Sequence, residues 1–95
     1  MPAVTRLGDS CSGHGCYPPR NNTSGSGNVF TNGIPTHRIG DSWASHGSGD
    51  CISHGGVTAA GSGSVFVNGV AIARVGDAIS CGSVIAQGSG NVFAN

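Results

Sequence analysis

One unit, written in part or in full three times, governs what this chain can become. The complete copy is Gly61 to Gly82, GSGSVFVNGVAIARVGDAISCG. It reads Gly-Ser-Gly-x, Val-Phe, Asn-Gly, then an alternating run that ends in Arg-x-Gly-Asp, with a His or Cys a few residues on. Gly25 to His46 repeats it as GSGNVFTNGIPTHRIGDSWASH. The last copy is divided: Gly88 to Asn95 (GSGNVFAN) supplies its first half and Pro2 to His14 (PAVTRLGDSCSGH) its second. A unit this short cannot bury its own apolar face and must pack against its copies.

Asn-Gly between alternating apolar runs is the strongest short-range hairpin signal, because both central residues of a type I′ turn need positive φ. Asn32-Gly33 and Asn68-Gly69 stand in that position. The pattern predicts two-stranded hairpins over Val29 to Ile39 and Val65 to Val75. It predicts a further antiparallel pair between Val92-Phe93 and Ala3 to Leu7, with the turn opened to make the two termini. Three such pairs around an axis give a small all-β body with pseudo-threefold symmetry. No stretch carries a helical period, so long loops and little or no helix are expected elsewhere.

A chain of 95 residues is expected to form one domain, 1–95. Its core can only be modest, and small domains commonly need a staple. The candidates are the four Cys and four His. Formal net charge is zero, from four Arg (Arg6, Arg20, Arg38, Arg74) and four Asp (Asp9, Asp41, Asp50, Asp77). Three of the Arg belong to the Arg-x-Gly-Asp units, where a structural role is the natural expectation. With no basic patch, nucleic-acid binding has no electrostatic basis. No apolar run approaches a membrane span and the N-terminus carries no signal peptide. The expectation is a chain made in a reducing cytosol, where metal ligation is favoured over disulfides as the use of Cys. Cys11 and Cys16 could still pair after release into an oxidising space.

All four Cys, and every His except His37, fall in the connections that follow Gly-Asp. These connections should emerge at one end of a pseudo-symmetric body. Counted from the Asp, His14 is five residues after Asp9, His46 five after Asp41, and Cys81 four after Asp77. Each module thus sends one ligand-type side chain to the same end. His54 could complete a tetrahedron, with Cys51 as its rival for the fourth place. Three imidazoles and one thiolate suit a structural Zn²⁺. His37 falls within a hairpin and reads as a strand residue. Catalysis lacks support: no Gly-x-Ser-x-Gly elbow is present, and Gly-Ser-Gly without a following helix or any Lys is no phosphate loop.

Segments of Pro/Ala type precede each repeated Arg: Ala3-Val4-Thr5-Arg6, Pro35-Thr36-His37-Arg38 and Ala71-Ile72-Ala73-Arg74. With the His-Gly pairs at His14, His46 and His54, the Asp77-x-x-x-Cys81-Gly82 run and the Gly-Ser-Gly-x-Val-Phe strands, the whole chain resembles the proline-alanine-alanine-arginine repeat (PAAR) proteins. Spacing, not the literal tetrapeptide, carries the likeness. The resemblance implies a small cone of β-hairpins with a zinc ion at its apex, capping the trimeric β-helical spike of a type VI secretion system or a contractile phage-like tail. Such a tip sharpens the spike for membrane piercing and effector delivery, and catalyses nothing. The positions that match the family's three-His, one-Cys zinc site are His14, His46, His54 and Cys81. The implied partners are a trimeric spike (VgrG-like or from a phage tail), non-covalently attached effectors and, transiently, a target membrane. The implied location is cytoplasmic at assembly, then outside the cell at the spike tip, or in a virion tail. A module that mainly recruits a toxin effector is the alternative, with a small zinc hydrolase behind it.

Overall fold

A computed structural model describes residues 1–47 and 51–95; Asp50, one of the four aspartates, lies outside the described residues. The strands are β1 (Phe30–Thr31), β2 (Ile34–Pro35), β3 (Ser42–His46), β4 (His54–Val57), β5 (Phe66–Val67) and β6 (Val70–Ala71), with no helix among the described residues. β1 pairs antiparallel with β2 and β5 with β6. Their turns have positive φ at both central residues: 56° and 77° at Asn32-Gly33, 56° and 76° at Asn68-Gly69. The divided copy closes through an antiparallel bridge between Ala3 and Phe93.

The hairpins are shorter than the predicted 29–39 and 65–75 spans. Each ladder has two residue pairs, and one residue further on the Thr36 and Ile72 amides still donate to the Val29 and Val65 carbonyls while the returning strand turns to the next module. Arg38 bridges Ile72, Val4 bridges Arg74 and Arg6 bridges Thr36. At the centre the exchange closes on itself. The Thr5 amide donates to the Ala73 carbonyl (3.1 Å), the Ala73 amide to His37 (3.1 Å), and the His37 amide to Thr5 (3.0 Å). All three residues are fully buried, so this ring satisfies backbone groups that water cannot reach.

Each Arg-x-Gly-Asp is a turn locked by its own side chains. The Asp amide donates to the Arg carbonyl at 3.0–3.1 Å, with the intervening Gly8, Gly40 and Gly76 at φ of 90°, 87° and 95°. The guanidinium then grips the carboxylate in a fork. In the middle copy Arg38 Nε donates to Asp41 Oδ2 at 2.9 Å and Nη2 to Oδ1 at 3.0 Å, while the Arg38 amide also donates to Oδ2. Burial works against the Asp41 carboxylate, but these bonds and the Arg38 charge outweigh it and hold its pKa below the usual range. The repeated charges therefore serve the fold, as expected of them.

Seams between modules are polar. Ser26 Oγ accepts the Val29 amide and donates to Asn68 Oδ1 (2.7 Å); Ser89 Oγ accepts the Val92 amide and donates to Asn32 Oδ1 (2.6 Å). The glycine before the corresponding serine is held by contact, most tightly in two of the modules. A Cβ on Gly61 or Gly88 would lie 2.8 Å from the Ile72 or Val4 carbonyl oxygen.

The second connection, Ser42 to Ala60, holds a feature not anticipated as such: β3 and β4 form an antiparallel pair. One apolar cluster sits beneath it, built from Cys11, Trp43, Ala73, Ile79 and Ile85; another lies in the hairpin layer, from Val4, Val67, Ile72 and Ala94. The body is elongated, 39 × 24 × 21 Å.

His37 is no ordinary strand residue. It stands on the axial ring, fully buried, and its imidazole bonds at both nitrogens. Nδ1–H donates to the Ser24 carbonyl (2.9 Å). Nε2 accepts from Thr58 Oγ1 (2.6 Å), which itself accepts from Trp43 Nε1 (2.9 Å). Burial pushes the His37 pKa below the ordinary histidine value. The unfolded chain therefore binds a proton at a pH where the folded one does not. Stability is full above about pH 6.5, the ordinary value, and falls as pH drops from there towards the lowered folded-state pKa. Thermal midpoints between pH 7 and pH 5 should fall more steeply for the native protein than for His37→Gln at the same metal loading. Equal slopes would show that His37 does not set the acid limb.

Candidate metal centre

The sequence places a histidine in each of the first two connections, but only local geometry can make them converge. In β3 and β4 that geometry is a β-bulge. Ser42 faces Val57 and Trp43 faces Gly56, yet His46 faces His54, so one extra residue lies on β3 between Trp43 and His46. The bulge breaks strict alternation. Trp43 and His46, three apart, are both buried on the inward side and His46 comes directly opposite His54.

His14 reaches the same point from a tight turn. Its amide and carbonyl both bond to Tyr17, at 2.8 Å each, and Gly15 within the turn has a φ of 53°. Gly13, before it, admits no side chain, since a Cβ would stand 2.6 Å from the Tyr17 carbonyl oxygen. Cys81 lies in the turn from Ile79 to Gly82, closed by the Gly82 amide on the Ile79 carbonyl (3.0 Å), with Gly82 at a φ of 102°. That turn is stitched to β4: the Ser80 amide donates to the Val57 carbonyl and the Val57 amide to Ser80 Oγ. Gly56 leaves the room, because a Cβ there would be 3.2 Å from that of Cys81.

The result is a single cluster. One ligand-type atom from each of His14, His46, His54 and Cys81 lies within 4.8 Å of every other. His54 Nε2 is 3.2 Å from His14 Nε2 and 2.8 Å from His46 Nε2. In a tetrahedral zinc site with bonds of about 2.0–2.1 Å to nitrogen, neighbouring nitrogens stand roughly 3.3 Å apart, so the spacing and the donor chemistry fit a metal ion. His46 is already oriented: its Nδ1–H donates to the Pro18 carbonyl at 2.7 Å, leaving Nε2 free to bind. Loss of solvent around His54, and the His46 and His14 imidazoles beside it, push its pKa below the ordinary value, which favours the neutral, ligating form. The cluster could hold a metal ion; that is its chemical capacity.

The remaining cysteines are used differently from the expectation. Cys51, the rival to His54, is joined to Cys16 in a disulfide. Cys11 therefore does not pair with Cys16; it is a buried free thiol whose sulfur accepts the Arg20 amide. The disulfide ties the connection that carries His14 to the one that carries His46 and His54. Sequence reasoning also missed Tyr17, the chain's single tyrosine. Its ring lies against all three imidazoles, with centroids 4.7 Å from His14, 5.1 Å from His46 and 4.0 Å from His54. Its place three residues after His14 was the available signal.

Comparison with known proteins adds one positive finding. The family model described as PAAR motif matches residues 48–95, just over half of the chain. No curated protein matches it.

Proposed function

The chain belongs to the PAAR-motif family, and from that premise we propose that it is the structural tip of a trimeric β-helical spike, in a type VI secretion system or a contractile phage-like tail. The observation that carries this reading is a ring of exposed aromatics. Phe30, Phe66 and Phe93 are equivalent in the three modules and remain 56%, 58% and 49% exposed. A single chain that repeats one apolar contact three times about an axis is complementary to a partner with a true threefold. Phe30, Phe66 and Phe93 lie on the paired hairpin segments, whereas the four cluster residues lie in the connections that follow the Arg–Asp turns.

His14, His46, His54 and Cys81 hold Zn²⁺ in this reading. The ion supplies a cross-link between three connections and no reaction, because four protein donors fill a tetrahedral set. The chain's own groups do the rest: the Pro18 carbonyl orients His46, the bulge aims His46 at His54, and Gly56 and Gly82 bring Cys81 in. Tip and effector delivery follow from the proposed position; the protein is assembled in the cytoplasm and leaves with the spike.

The test combines binding and metal content. Native mass spectrometry should show one chain per spike trimer, and Phe30→Asp with Phe66→Asp should abolish the complex while the isolated protein stays folded. Elemental analysis should find about one zinc per chain, lost in His14→Ala, His46→Ala, His54→Ala and Cys81→Ala and kept in Cys51→Ala. A zinc-loaded, folded protein that binds no trimeric spike would sink the tip reading.

A further inference from the structure

The segment from Gly13 to Pro18 touches the cluster at every histidine. It supplies His14 itself, the Tyr17 ring against all three imidazoles, and the Pro18 carbonyl on His46 Nδ1. Tyr17 is nearly parallel to His54 and His14, with interplanar angles of 27° and 29°, and tilted by 40° to His46. Its own backbone is fixed by the paired bonds to His14. Cys16, inside the same turn, is anchored to Cys51 three residues before His54. A half-buried aromatic held this firmly against three ligand-type rings is more than apolar filling.

We infer that Tyr17 is a positioning residue of the metal site: its ring is a fixed lid that holds the three imidazoles in their ligating orientation and closes the cluster against solvent. The inference rests on the metal reading above. The contacts are made by the ring face, so the hydroxyl is dispensable. An imidazole is free to turn about its χ angles unless something bears on its flat face. Here one ring bears on all three, and a metal held by them leaves only when an imidazole swings away. Without the lid, rings turn more easily and water gains the outward side of the site. Outer-shell partners that orient metal ligands through hydrogen bonds typically matter about 10–100-fold in metal affinity, and an effect of at least the lower end of that range is expected of the ring.

The experiment uses the full chain loaded with Co²⁺ as a spectroscopic substitute for Zn²⁺, and a coloured chelator to time metal release. Metal content of the native protein is measured first; a native chain that takes up neither ion overturns the metal reading itself. Given a loaded native protein, Tyr17→Ala should release metal about tenfold faster or more and shift the cobalt spectrum from four-coordinate towards five-coordinate. Tyr17→Phe should match the native protein in both. Tyr17→Leu, which keeps apolar bulk without a flat face and guards against poor folding of the alanine variant, should release metal faster with a native-like circular dichroism spectrum. Release rates and cobalt spectra unchanged in Tyr17→Leu and Tyr17→Ala would overturn the lid, as would a Tyr17→Phe protein that behaves like Tyr17→Ala.

Discussion

Chelation of the metal from the oxidised protein should lower its thermal midpoint by about 15 °C or more. Structural zinc sites contribute on the order of ten kcal/mol of coupled binding and folding, and a domain of this size shifts by roughly 4–8 °C for each kcal/mol. Only part of that binding energy is lost as stability, since the disulfide and the two apolar clusters persist without the ion. Even a few kcal/mol is large beside the stability of a small domain. His46→Ala at saturating zinc should melt where the chelated native protein melts, because His46 is the buried member of the cluster, oriented by Pro18 and opposite His54. Calorimetry with and without chelator decides it. A midpoint that chelation leaves in place would mean that the cluster holds no ion that matters to the fold.

Reduction of the Cys16–Cys51 disulfide is expected to cost about as much when the metal is absent. The bridge spans 35 residues, for which the chain-entropy relation gives about 4 kcal/mol of stability, through constraint of the unfolded chain. A metal held by the cluster would cross-link the same loops, since His14 lies on one side and His46 and His54 on the other. The two cross-links are therefore partly redundant. With metal bound, reduction should cost well under half of its effect on the chelated protein, and the double loss should exceed the sum of the single ones. Unfolding in denaturant under the four combinations of chelator and reductant measures this directly. Strict additivity would show that the disulfide and the metal constrain different parts of the chain.

What could be read from the sequence followed local chemistry. Asn-Gly demands positive φ at two positions, and the turns at Asn32 and Asn68 have it. The triple Arg-x-Gly-Asp announced a repeated structural lock, and the locks are there. Similar offsets from the Asp, five, five and four residues, pointed His14, His46 and Cys81 towards one end, and with His54 they lie together. What escaped depended on contacts between distant segments. Beyond their own short hairpins the returning strands go on to pair with neighbouring modules, and no property of Pro35 to Ile39 alone announces that. The β3 bulge comes from packing Trp43 and His46 on one side of a strand. Cys16 and Cys51 meet only because their connections have already been brought together, so adjacency in sequence favoured the wrong pairing with Cys11. His37 looked like one more alternating residue, but its neighbours are Ser24, Thr58 and Trp43.

The closed ring of amides through Thr5, Ala73 and His37 has a consequence for what sits above it. A homotrimer can offer side chains only in threes. A fourth protein donor would have to lie on the symmetry axis, where a trimer has no single side chain to place. By carrying the three units on one continuous chain, the protein keeps threefold repetition in its backbone and is free to break it in its connections. The first gives one histidine, the second gives two, and the last gives a cysteine. The chain thus counts in threes at the hairpins and in fours at the cluster.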